Sequence, residues 1–232
     1  MGRRVQRGVV LARADAVSLV SPSRVTPDAP VAELEPYLAA NLNPLGPFPG
    51  EASRSDYDLN PAGRVVGRTL TPAAVLVPLV ERENGLSVLL TRRSDSLRRH
   101  SGQVAFPGGR ADPGETPVDT ALRETWEEIG LDRSFIRPLG LADTYETGTG
   151  YAITPVVGFV RPGFSLLRHE VEVAEIFETP FAFLMDPANH ELRVMKAADG
   201  VERRFYAMPY EERTIWGATA GMVRGLYDRW FG

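Results

Sequence analysis

The chain has 232 residues, 43% hydrophobic, 24% charged and 9% aromatic, which is enough for one or two globular domains with a sizeable core. Lys plus Arg (26) falls short of Asp plus Glu (30), so a general nucleic-acid binder, which needs a basic excess, is not expected. With no cysteine there can be no disulfide scaffold, thiol nucleophile or cysteine-ligated zinc, and the composition is compatible with a reducing, cytoplasmic setting. The longest apolar run, Ala73 to Val80, is far shorter than the roughly 18–20 residues of a bilayer helix, so no membrane span is expected.

In chain order, residues 1–27 carry no pattern that assigns an element. Arg13 and Asp15 interrupt the apolar stretch that a secretory leader would need. Asp28 as N-cap, Pro30, and Val31, Leu34, Leu38 and Leu42 at helical spacing predict a helix over about 29–42. Four prolines and three glycines between 43 and 63 then read as a loop. Residues 1–65 are therefore expected to be an N-terminal helix-and-loop extension, and 66–232 the main domain.

There, Ala73–Val80 and Leu86–Thr91 read as strands joined at Asn84-Gly85, a hairpin signal. A loop rich in Arg and Gly spans 92–115. Thr116 as N-cap, Pro117 at the first helical position and Gly130 as C-cap bound a helix. Ile153–Val160 and Val173–Phe177 read as strands, and Pro180–Met185 and Thr214–Trp230 as helical. Strands alternating with helices point to an α/β layered fold.

On the 117–129 helix, at about 100° per residue, Val118, Leu122, Thr125 and Ile129 share one face with Ala121 beside them, which is a core stripe. Glu124, Glu127 and Glu128 gather on a neighbouring face, three and four residues apart. Arg123 is spaced to pair with Glu127 but cannot neutralise three carboxylates. Such a cluster is either a solvated acidic face or a site for a hard cation. Oxygen donors without His or Cys favour Mg²⁺ or Mn²⁺ over zinc. Just upstream, the paired glycines Gly108 and Gly109 permit close backbone approach to a ligand. His100, His169 and His190 are scattered without zinc spacing, and Trp126, Trp216 and Trp230 read as packing residues.

The segment Gly109-x5-Glu115-x7-Arg123-Glu124-Thr125-x-Glu127-Glu128-x-Gly130-Leu131 resembles the Nudix hydrolase signature, with Thr125 where that family usually has an aliphatic or small residue. The resemblance implies an α/β/α sandwich with a mixed sheet. It implies a metal held by Glu124, Glu127 and Glu128 with a backbone carbonyl at Gly108 or Gly109, and Arg123 and Glu115 as orienting partners. A second pattern runs from Leu90-Thr91-Arg92-Arg93-Ser94 through Arg98, His100 and Gly102 to Phe106-Pro107-Gly108-Gly109. It is similar to the extended signature of the family's coenzyme A pyrophosphatase branch.

That likeness implies divalent-metal-dependent hydrolysis of the pyrophosphate of coenzyme A or its derivatives, giving 3′,5′-ADP and 4′-phosphopantetheine. Arg93, Arg98 and His100 would bind substrate beside the glycines. Glu127, Glu128 or Glu172, the last outside the signature, would be the general base. The alternatives are a Nudix pyrophosphatase acting on ADP-ribose or another nucleoside diphosphate derivative, and a non-catalytic ligand-binding domain of the same fold. The expected partner is a small-molecule substrate, with no nucleic acid and no membrane, and a homodimer is left open.

Overall fold

The computed structural model describes residues 25–95, 102–196 and 200–232. The elements in chain order are α1 (Val31–Ala40), β1 (Arg54–Ser55), β2 (Thr71–Arg82), β3 (Gly85–Arg93), β4 (Val104–Ala105), β5 (Gly108–Arg110) and α2 (Pro117–Ile129). There follow β6 (Ile136–Leu141), β7 (Tyr145–Glu146), β8 (Tyr151–Val160), β9 (Val173–Pro180), α3 (Phe181–Leu184), β10 (Glu191–Lys196), β11 (Glu202–Tyr210), β12 (Arg213–Trp216) and α4 (Ala218–Trp230).

The main sheet is mixed. β2 lies parallel to β8, with Ala74 opposite Thr154, and antiparallel to β3 and to the short β5, with Ala74 opposite Gly109. A smaller antiparallel sheet joins β10, β11 and β12.

The strand β2 is continuously buried and apolar from Ala73 to Val80 because both of its faces are covered. On β2, Ala74, Leu76 and Val80 face α2 and pack with Ala121, Leu122, Ile129, Val156 and Val160. The alternate residues Val75, Val77 and Leu79 face the other way, onto Leu34 and Leu38 of α1, Phe181 of α3 and Val223, Leu226 and Trp230 of α4. This period-2 division of one strand between two cores is what makes the layering α/β/α.

Several expectations are corrected in detail. The two hairpin turn residues are Glu83 and Asn84, one position earlier than Asn84-Gly85, since Arg82 pairs with Gly85. Gly85 itself, at φ 108°, opens the returning strand. The stretch 214–230 is not one helix. Arg213–Trp216 pairs with β11, and Gly217 at φ 63° turns the chain into α4. Trp230 is buried as expected, but Trp126 is 55% exposed on the outer face of α2.

Candidate active site

The helix α2 starts where the sequence dictates. Thr116 Oγ1 accepts from the Asp119 amide at 3.2 Å and the Asp119 carboxylate accepts from the Thr116 amide at 3.1 Å, a reciprocal cap. At the other end Gly130 adopts φ 65° and its amide meets the Trp126 carbonyl. Thr125 is fully buried, and its hydroxyl is satisfied by the Ala121 carbonyl at 2.6 Å, so the polar residue fits the core stripe at no hydrogen-bonding cost.

Arg123 is the hub of the exposed side. It forks onto Glu115 (2.7 and 3.0 Å), donates to the Arg110 carbonyl at 3.1 Å, and reaches Glu124 at 2.9 Å and Glu127 at 3.2 Å. The fork holds the Glu115 carboxyl down to about 2, with the Asp112 amide and the Thr120 hydroxyl adding to it. One guanidinium thus ties the loop before α2 to the helix and orients two of its carboxylates.

Glu128 lies on the inner side, only 5% exposed. Burial pushes its carboxyl up to about 8, against the Gly108 amide, which donates at 3.2 Å, and the Arg93 cation 4.0 Å away. Glu124 is raised too, chiefly by burial. The charge of Glu172 acts on both, because the 167–172 loop docks on the end of α2: the Leu167 and His169 amides cap the Ile129 and Glu128 carbonyls. Glu127 is 54% exposed and turned towards Arg123.

Both glycines are required by contact. A Cβ on Gly108, which sits at φ 153°, would meet Val75 Cα at 2.5 Å. On Gly109 it would meet the Glu124 carboxylate at 2.5 Å. The Gly109 backbone therefore lies directly against Glu124.

Among the described residues no three acidic side chains are already drawn together into a cation cage. Glu124 and Glu127 are held by Arg123, and Glu128 by the Gly108 amide. The donor chemistry still fits a hard divalent cation. Glu124, half-buried, and Glu128, buried, are like-charged carboxylates whose ionised forms are disfavoured by burial, and Gly109 offers backbone where no side chain could stand.

Arg93 is placed at this cluster, and among the described residues no acceptor meets its buried Nε. Its neighbour Arg92 is instead paired with Asp95 and Glu175. Arg98 and His100 lie outside the described residues.

A family model described as the NUDIX domain matches residues 70–208. The chain is 42% identical over 156 residues (66% of this chain, 78% of the relative) to a protein named uncharacterized Nudix hydrolase NudL from Yersinia enterocolitica. It is 40% identical to the protein of that name from Yersinia pestis, over 66% of this chain and 77% of the relative. Among solved structures it is similar to a C. elegans Ap4A hydrolase binary complex (20% identity, TM-score 0.41, 46% of this chain and 77% of that one). It is also similar to RenU, a Nudix hydrolase from M. Smegmatis (20% identity, TM-score 0.44, 68% and 84%). This chain belongs to the Nudix hydrolase family. Enzymes of that family generally require divalent metal cations. No helix among the described residues is long and apolar enough to cross a membrane.

Proposed function

We propose that this chain hydrolyses the pyrophosphate bond of coenzyme A or its derivatives, releasing 3′,5′-ADP and 4′-phosphopantetheine. The observation that carries the reading is the position of Arg93. It stands on the segment Leu90–Gly109 that resembles the coenzyme A pyrophosphatase signature, and its guanidinium is 4.0 Å from Glu128 with Nε unmet by any described acceptor. A cation so placed is suited to a phosphate oxygen presented to the acid cluster.

The reaction needs a water oxygen to attack one phosphorus while the bridging P–O bond breaks and the departing phosphate keeps the electron pair. The water's proton passes to a carboxylate at the site, Glu127, Glu128 or Glu172. Arg93, with Arg98 and His100 from the same segment, holds the phosphates, and Gly108 and Gly109 let them approach the backbone. Arg123 acts through Glu124 and Glu127 by fixing their carboxylates. A magnesium or manganese ion, when held by Glu124, Glu127, Glu128 and the Gly109 carbonyl, supplies Lewis-acid neutralisation of the phosphate oxygens. A cytoplasmic setting accompanies this reading, and the cysteine-free composition is compatible with it.

The test is a product assay on coenzyme A, ADP-ribose and dinucleoside polyphosphates with Mg²⁺ and Mn²⁺. Coenzyme A is expected to lead in kcat/KM by about tenfold or more. ADP-ribose leading by that margin would overturn the substrate, and binding without turnover of any member would favour a ligand-sensing domain.

A further inference from the structure

A cavity of about 560 Å³ lies between the main sheet and the chain that leads into β2. Its floor is Pro72 of β2, Thr144, Glu146 of β7, and Ala152 and Thr154 of β8. Its walls come from Phe48 to Ala52 and from Arg64 to Arg68 with Leu70. Gly109, Ala74 and Thr154 stand opposite one another on three adjacent strands. Directly paired residues share a face, and Ala74 packs on the α2 side. The cavity floor therefore occupies the same face of the sheet as Glu124, two strand spacings or about 10 Å from Gly109.

The cavity is a built feature. Amides of Ser53 and Asp56 meet the Thr144 and Glu146 carbonyls, and the Asp56 carboxylate takes the Tyr145 hydroxyl at 2.9 Å and the Gly148 amide at 2.7 Å. These bonds seat the covering segment on β7 and the loop after it. On the floor, the buried Thr144 and Thr154 hydroxyls bond each other at 3.1 Å. Glu146, also buried, is neutralised by Arg64 at 3.0 Å.

Arg68 differs from Arg64. It donates to the Gly148 and Thr149 carbonyls, both at 3.0 Å, and lies over Gly150 so closely that a Cβ there would meet its Cζ at 2.6 Å. Two of its five N–H groups are used by these bonds. Among the described residues no carboxylate pairs with it. Its guanidinium is thus held by carbonyls rather than by a carboxylate, in a cavity that also presents Phe48, Leu70, Pro72 and the Glu51 side chain. Apolar side chains, threonine hydroxyls and a cation held only by carbonyls match a phosphorylated nucleoside.

We propose that this cavity takes the nucleoside end of the substrate, with the phosphomonoester on that end bound by Arg68. The proposal rests on the coenzyme A reading, whose substrate carries a 3′-phosphate on its ribose.

The experiment compares coenzyme A with 3′-dephospho-coenzyme A as substrates for the full chain and for Arg68→Ala. Arg68 is exposed, so the variant should melt with the wild type. The expected result is a KM for coenzyme A raised about tenfold, kcat changed by less than about twofold, and KM for the dephospho form unmoved. A KM that rises equally for both substrates, or for neither, overturns the proposal. Should the wild type hydrolyse neither, the coenzyme A reading fails by itself and the cavity is still decided by calorimetry. Adenosine 3′,5′-bisphosphate binding more tightly than AMP, with the difference lost in Arg68→Ala, supports the site. Equal binding of the two nucleotides overturns it.

Discussion

Glu128 combines near-complete burial, a single amide donor and two like-charged neighbours, a setting in which a carboxylate is kept only at a cost in stability. Glu128→Gln preserves shape and can still accept from the Gly108 amide while removing that buried charge. It should lower divalent-dependent turnover by about 10²–10³-fold, the scale for losing one transition-state-stabilising group. The melting temperature at pH 8 should stay level or rise. Full activity in the variant would remove Glu128 from the catalytic machinery, and a collapse in melting temperature would make its role structural. The pairing of Glu128 with Arg93 joins two residues 35 positions apart, and only β3 and α2 packing on a common strand brings them together.

At the scale of the element, α2 and the loop that feeds it are one unit because Glu115 accepts from Arg123, Thr120 and the Asp112 amide together. The folded carboxyl, held near 2, lies below the ordinary 4.5 of the unfolded chain. The unfolded state therefore binds the extra proton between these values. The stabilisation is present in full above about pH 4.5 and is lost as pH falls towards 2. The melting-temperature gap between wild type and Glu115→Gln should be constant above about pH 5 and should close through that acid window. A gap that is indifferent to pH, or that widens in acid, would mean the ion pair is not its source.

This helix was legible almost to the residue, since its cap, its first-turn proline and its closing glycine are local chemistry. The end of the chain was not. Thr214 to Trp230 reads as one helical stretch, yet it opens on the strand-favouring Thr214, Ile215 and Trp216, and Arg213–Trp216 pairs with the edge of β11 before Gly217 turns the chain into α4. The strand β10 alternates polar and apolar residues only over Glu191–Val194 and is exposed along its whole length, a signal too short to mark a strand.

Across the whole molecule, α1 is packed into the same core as the main sheet: Leu34 and Leu38 are 1% and 0% exposed against residues of β2, β3 and α4. The Trp230 indole donates to the Leu38 carbonyl at 3.3 Å, and Arg229 reaches the Asn41 carbonyl, so α4 is tied to the end of α1. Leu38→Ala should cost about 2–5 kcal/mol in chemical denaturation, as for other buried leucines, with a single cooperative transition. A cost below about 1 kcal/mol would show that α1 is peripheral to stability.

Local chemistry alone determined the acidic helix, its caps, the paired glycines before it and the hairpin strands, because each depends on neighbours within a turn or two of the chain. It also placed three glutamates on one helical face. Which of them is buried beside Gly108, which is left in solvent with Arg123, and that Glu172 approaches from another loop were decided by packing. So was the cavity at Arg68, whose floor and roof are contributed by strands and a covering segment some 80 residues apart. Proximity of that kind arises from strand order and shared core faces, which no short window of sequence records.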